Sequence, residues 1–189
     1  MGITAYEEAI FMNEISKSRT YENVIKEIES RGKNMALLRV FSDRAKAQGY
    51  FTVAHKLDEV TKQESEHCAV LYRIMQEGDE IDTLANLIYC AGQLNASSAR
   101  LRTQFVATAK EEGFDYIAGV IDEIAKVDTQ TEMQLKEIME ELKVGKLYVG
   151  DKSTAWQCIK CGCSVENWNA PDICPLCASQ KGFFAKIKK

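Results

Sequence analysis

The sequence predicts a mainly α fold, with four long helices packed as a bundle and followed by a small cysteine-rich metal domain. Three observations predict it. Both prolines, Pro171 and Pro175, lie near the C-terminal end, so nothing in the first 150 residues would break a helix by losing an amide donor. Glycines at 49, 78, 113 and 145 punctuate four long polar-apolar segments, each where a helix would close in a left-handed cap. Five of the seven cysteines fall between Cys158 and Cys177.

In chain order, the helices are expected over about Ser18 to Gln48, Tyr50 to Glu77, Asp82 to Glu112 and Phe114 to Lys143, with a short extra turn within residues 1 to 17. Helical spacing places Val53, Leu57, Val60, Glu64, His67, Leu71 and Ile74 on the core face of the second helix. On the fourth it places Ile117, Ile121, Ile124, Asp128, Thr131, Leu135, Ile138 and Leu142. These two helices are copies of each other. Residues 58 to 67, DEVTKQESEH, answer residues 122 to 131, DEIAKVDTQT, and the likeness runs back without a gap to Gly49-Tyr50-Phe51 and Gly113-Phe114-Asp115. One copy ends in Glu64-x-x-His67, a metal-ligand pair, and the other in Asp128-x-x-Thr131. Polar pairs in an apolar stripe cost about 1–3 kcal/mol for each group left unsatisfied, so the bundle centre must supply partners.

The tail carries Cys158-x-x-Cys161-Gly162 and Cys174-Pro175-x-Cys177. Each knuckle sets two thiolates on one side of a tight turn, and two facing knuckles make a tetrahedral sulfur cage suited to iron or zinc. Disulfides are not expected, because the first residues have neither the basic start nor the apolar run of a secretory signal. A cytoplasmic chain, where thiols stay reduced, follows as the expectation. Residues 151–189 hold six Lys and three acids, net +3, which leaves −7 for the remainder of a chain of net charge −4. So acidic a body does not suit nucleic acid, and no run is apolar enough for a membrane span.

The pattern resembles the rubrerythrin family, a ferritin-like four-helix di-iron domain followed by a rubredoxin-like domain. The resemblance rests on Ser18-Arg19-Thr20 with Asn23, on Gln63-Glu64-x-Glu66-His67, on Glu111-Glu112-Gly113-Phe114 and on Trp156-Gln157-Cys158 through Cys177. It implies a ferritin-like bundle over residues 1–150, a rubredoxin-like metal domain over residues 151–189, a homodimer and a redox protein partner. It also implies a ligand set for two irons, and here the chain departs from the family. The second-helix pair survives as Glu64 and His67. The first-helix Glu falls on Arg31, the third-helix pair on Leu94 and Ser97, and the fourth-helix pair on Asp128 and Thr131. Di-iron bundles need Glu from several helices and a His for each iron, and Arg31 brings a permanent positive charge where cations would sit.

Three outcomes are open at that centre. Arg31, Glu64, His67 and Asp128 form an ionic cluster completed by Ser97 and Thr131; or Glu64, His67 and Asp128 hold at most one weak metal; or a di-iron site works with substituted ligands. The first is expected, and with it no di-iron centre. The expected cofactor is one iron, alternatively zinc, on Cys158, Cys161, Cys174 and Cys177. The expected function is electron transfer through that site, with the bundle as a scaffold. The alternatives are a rubrerythrin-type peroxidase that reduces hydrogen peroxide, or a structural zinc-binding assembly protein. Cys68 and Cys90 read as small core residues, Tyr72, Tyr89 and Trp156 as packing residues, and Cys163 as a spare ligand, a redox-sensitive thiol or a filler.

Overall fold

The computed structural model describes residues 16–76 and 82–187. Its fold class is the expected one, mainly α of the four-helix type with a small C-terminal sheet around the cysteines. The chain divides into two compact units, Met1–Ile81 and Asp82–Lys189.

In the first unit, α1 (Arg19–Ala47) begins at Ser18, whose hydroxyl accepts the Tyr21 N–H at 3.2 Å and satisfies one of the donors that a helix start leaves free. Gly49, at φ 82°, turns the chain into α2 (Phe51–Gln76). The buried positions are Ile28, Ser42 and Ala45 on α1 and Ala54 and Cys68 on α2. Ser42, fully buried, donates to the Ala54 carbonyl at 3.3 Å, and Lys46 pairs with Asp58 at 2.9 Å.

In the second unit, α3 (Thr83–Arg100) is capped by Asp82, whose carboxylate accepts the Ala85 N–H at 2.9 Å. The third helix is not uniform. Leu101–Phe105 is a π-helical turn before α4 (Val106–Glu111), an irregularity that the expected 82–112 helix did not include. Gly113 and Gly145, at φ 81° and 66°, close α4 and α5 (Asp115–Lys143) in the expected left-handed conformation. The Gly78 cap and the turn expected before residue 16 lie outside the described residues.

Most of the expected stripes, such as Leu57, Val60 and Leu71 on α2 and Ile121, Leu135 and Leu142 on α5, are half-buried, but the most buried positions lie beside them. On α5 the buried line is Ala118, Ala125, Glu132 and Met139, one residue per heptad, and Glu132 is neutralised by Lys136 at 2.5 Å. Ile117, Ile124 and Ile138 from the expected stripe are exposed, as are Val53 and Ile74 on α2. Alanine sits at the seams because a small side chain lets two helix backbones approach closely, and the larger aliphatics then flank the seam. Cys68 is buried as expected. Cys90 is exposed, and so are Tyr72 and Tyr89, which corrects their reading as core and packing residues.

The tail forms a three-stranded antiparallel sheet in the order β2-β1-β3, from β1 (Ala155–Cys158), β2 (Ser164–Glu166) and β3 (Phe184–Lys186). Trp156, Cys158, Ala170, Cys174 and Phe184 make its core. Trp156, fully buried, donates its indole N–H to the Asn167 carbonyl at 3.0 Å, so it packs as expected and leaves no polar atom stranded. The domain is tied to the end of α5 by Lys186, whose Nζ lies 2.5 Å from Glu141 and 5.7 Å from the Trp156 ring centroid. A cation of the basic tail thus meets an anion of an acidic helix.

Candidate metal centre

Two hairpin-like knuckles bring the four tail cysteines together. Gly162 N–H donates to the Cys158 carbonyl at 2.8 Å, and Ala178 N–H to the Cys174 carbonyl at 2.9 Å. The four Sγ atoms lie within 4.8 Å of one another, with Cys158 and Cys177 3.8 Å apart and Cys161 and Cys174 3.6 Å apart. A tetrahedron of sulfurs about 2.3 Å from one metal has edges of about 3.8 Å, so the cage fits a single iron or zinc ion. Its chemistry fits as well. Cys177 is pushed down to about 6 by the Ser179 hydroxyl and amide, whereas Cys161, although the Cys163 amide favours its thiolate, is pushed up to about 12 by Cys177 and by burial. Four thiolates this close oppose each other's ionisation, and a bound cation removes the opposition.

The polar residues of the first helical pair also converge. Arg31 Nη1 donates to both Glu64 oxygens at 3.0 Å and lies 3.0 Å from His67 Nδ1, while Nη2 pairs with Glu27 at 2.7 Å. The Arg31 and Glu64 side chains are 26% and 19% exposed, so much of this contact is out of water. Burial by itself would lower the Arg31 pKa, but Glu27 and Glu64 outweigh it and hold the group above the ordinary arginine value. Leu94 and Ser97 on α3 and Asp128 and Thr131 on α5 are half-buried and belong to the second unit. The bonds from Arg31 to Glu64 and His67 join α1 to α2.

Two contributors escaped the sequence reading. Glu27 sits four residues before Arg31 on α1, a spacing that pairs opposite charges on a helix and was there to be read. Ser179, two residues past the last knuckle cysteine, is buried with its Oγ 3.2 Å from Cys177 Sγ. No pattern in the sequence marks it. Cys163, half-buried against the sheet core, lies at the matching place in the first knuckle.

No family model matches the chain. Among curated proteins it is 29% identical over 184 residues to rubrerythrin of Nitratidesulfovibrio vulgaris, an alignment covering 92% of this chain and 96% of that one. It is 27% identical over 188 residues to rubrerythrin-1 of Clostridium acetobutylicum, with 92% and 96% covered. To rubrerythrin of Porphyromonas gingivalis it is 29% identical over 185 residues, with 92% of each covered. A solved structure of nigerythrin in a mixed-valence state aligns over 90% of this chain and 87% of that one at 19% identity and a TM-score of 0.33, too loose a superposition to carry weight.

Proposed function

We propose, for a chain that belongs to the rubrerythrin family and carries a four-cysteine metal site, a protein that moves single electrons through iron on Cys158, Cys161, Cys174 and Cys177, its helices holding no working di-iron centre. Bound there, iron supplies a one-electron couple that needs no proton. The chain's own contribution is to hold four sulfurs at tetrahedral spacing beside a core that contains buried Trp156. The observation that carries the second half of the proposal is Arg31. Its guanidinium already neutralises Glu64 and occupies His67 Nδ1, so the two surviving family ligands are engaged by a cation that no change of pH near neutrality removes.

A second reading, a rubrerythrin-type peroxidase reducing hydrogen peroxide, has a specific finding behind it. The relatives align over more than nine-tenths of this chain, helices included, and that kinship favours the peroxidase over a bare scaffold. Against it stand the residues at the ligand positions: arginine, leucine, serine, aspartate and threonine at 31, 94, 97, 128 and 131. Metal analysis after anaerobic reconstitution with ferrous iron separates the readings. About one iron per chain, with a red colour that bleaches on reduction, supports electron transfer; about three, with rapid peroxide turnover, establishes the peroxidase.

The protein works as a homodimer in this proposal. Val40 and Phe41 on α1, Ile88 on α3 and Ile117 and Ile124 on α5 are exposed, whereas the buried positions of the helices are mainly small, and this supports a second copy as the cover for such side chains. A monomer by light scattering at low salt would end that part.

A further inference from the structure

The two knuckles are near copies, and one residue breaks their symmetry. Besides the Gly162 and Ala178 bonds, Cys158 N–H donates to the Cys163 carbonyl at 2.8 Å and Cys174 N–H to the Ser179 carbonyl at 2.7 Å. The residue after each second cysteine is left-handed, Gly162 at φ 77° and Ala178 at φ 56°. Positions 163 and 179 are therefore equivalent in the backbone, yet one bears a thiol and the other a hydroxyl. Ser179 is 6% exposed, and its Oγ lies 3.2 Å from Cys177 Sγ.

We infer that Ser179 is a tuning residue for the tail site: its hydroxyl donates to the metal-bound Cys177 thiolate and raises the reduction potential of iron held there. This rests on the electron-transfer reading above. With a metal in place all four cysteines are thiolates, and a thiolate accepts hydrogen bonds without donating any, so the proton of the bond must come from the hydroxyl. Adding one electron to a ferric tetrathiolate makes the unit one charge more negative and moves no proton. A hydrogen bond to sulfur strengthens as the sulfur gains charge, so the bond stabilises the reduced state more than the oxidised one. Burial makes the effect specific, since water has little access to replace the hydroxyl. Cys163 carries only a weak S–H donor at the matching place, so the polarisation acts on one side of the cage.

The test uses the full chain loaded with iron and, separately, with cobalt(II). Ser179→Ala should bind a full complement of either metal. Its iron midpoint should fall by about a tenfold shift in the one-electron equilibrium, about 59 mV, and its thiolate-to-cobalt charge-transfer band should move to lower energy. Ser179→Thr, which keeps the hydroxyl, should return both towards the original values. Cobalt separates two failures. A tail that takes no redox-active iron ends the electron-transfer reading, while the cobalt band still reports whether Ser179 donates to Cys177. The inference is overturned if Ser179→Ala keeps the original potential and band, or if fully metallated Ser179→Thr behaves like the alanine variant.

Discussion

The cage at Cys158, Cys161, Cys174 and Cys177 and the cluster of Arg31, Glu64 and His67 both gather ligand-type side chains, and they differ in what balances their charge. Among the described residues, no lysine or arginine is bonded to the sulfurs of the cage. Its sulfurs oppose one another, so it reaches a stable charge state by taking a metal. The helical cluster has its cation built in, covalently attached to α1 and 3.0 Å from both Glu64 oxygens. Ligand residues that already hold such a partner are less available to a metal. Arg31 is such a partner, because its flat guanidinium spans both oxygens of a carboxylate at once.

The largest way to break the comparison is Cys161→Ser. Metal binding supplies about 10 kcal/mol or more of folding free energy to small cysteine domains, so this variant should lose its tail metal and unfold the sheet. Metal analysis and the loss of buried Trp156 emission report both, and full metal occupancy in the variant would contradict the cage. The next effect is smaller and falls on the other cluster. Arg31→Glu places a third carboxylate beside Glu27 and Glu64, so these groups hold protons more tightly in the folded chain than in the unfolded one. Stability then falls as pH rises through the carboxylate range, and the thermal midpoint should lie further below that of the unaltered protein at pH 7 than at pH 4.5. On the proposed reading bound metal should not increase; a gain of two irons would show that Arg31 alone kept them out. The smallest expected effect sharpens the symmetry of the knuckles. Ala178 holds a left-handed backbone that costs a residue with a Cβ, so Ala178→Gly should stabilise the metallated tail by about 0.5–1 kcal/mol, read as a higher denaturant midpoint for metal loss.

Much of this was legible in the sequence. Gly49, Gly113 and Gly145 marked three helix ends, and each has the positive φ that a left-handed cap requires. The cysteine spacing marked the cage because a knuckle is a local object, set by four consecutive residues. Two further features were not legible. Periodicity marked Ile117, Ile124 and Ile138 as the core face of α5, whereas the buried line is Ala118, Ala125, Glu132 and Met139. A hydrophobic stripe is wide, and which edge of it meets a neighbouring helix depends on how closely the backbones approach. The π-helical turn at Leu101–Phe105 was invisible because one widened turn changes neither composition nor the overall period.

By itself the sequence determined the helical segments, the ends at Gly49, Gly113 and Gly145 and the four-sulfur cage, since each depends on residues within a turn or two of one another. Its repeat also laid Asp128 and Thr131 against Glu64 and His67, and the resemblance made those positions expected sites of changed ligands. Only the tertiary structure decided what Arg31 does there. Its bonds to Glu64 and His67 cross 33 and 36 residues of chain and exist because α1 and α2 pack with those three side chains at one level. The same holds for Ser179, which is an ordinary serine in the sequence and comes within 3.2 Å of Cys177 Sγ only when the second knuckle folds it into a buried position there.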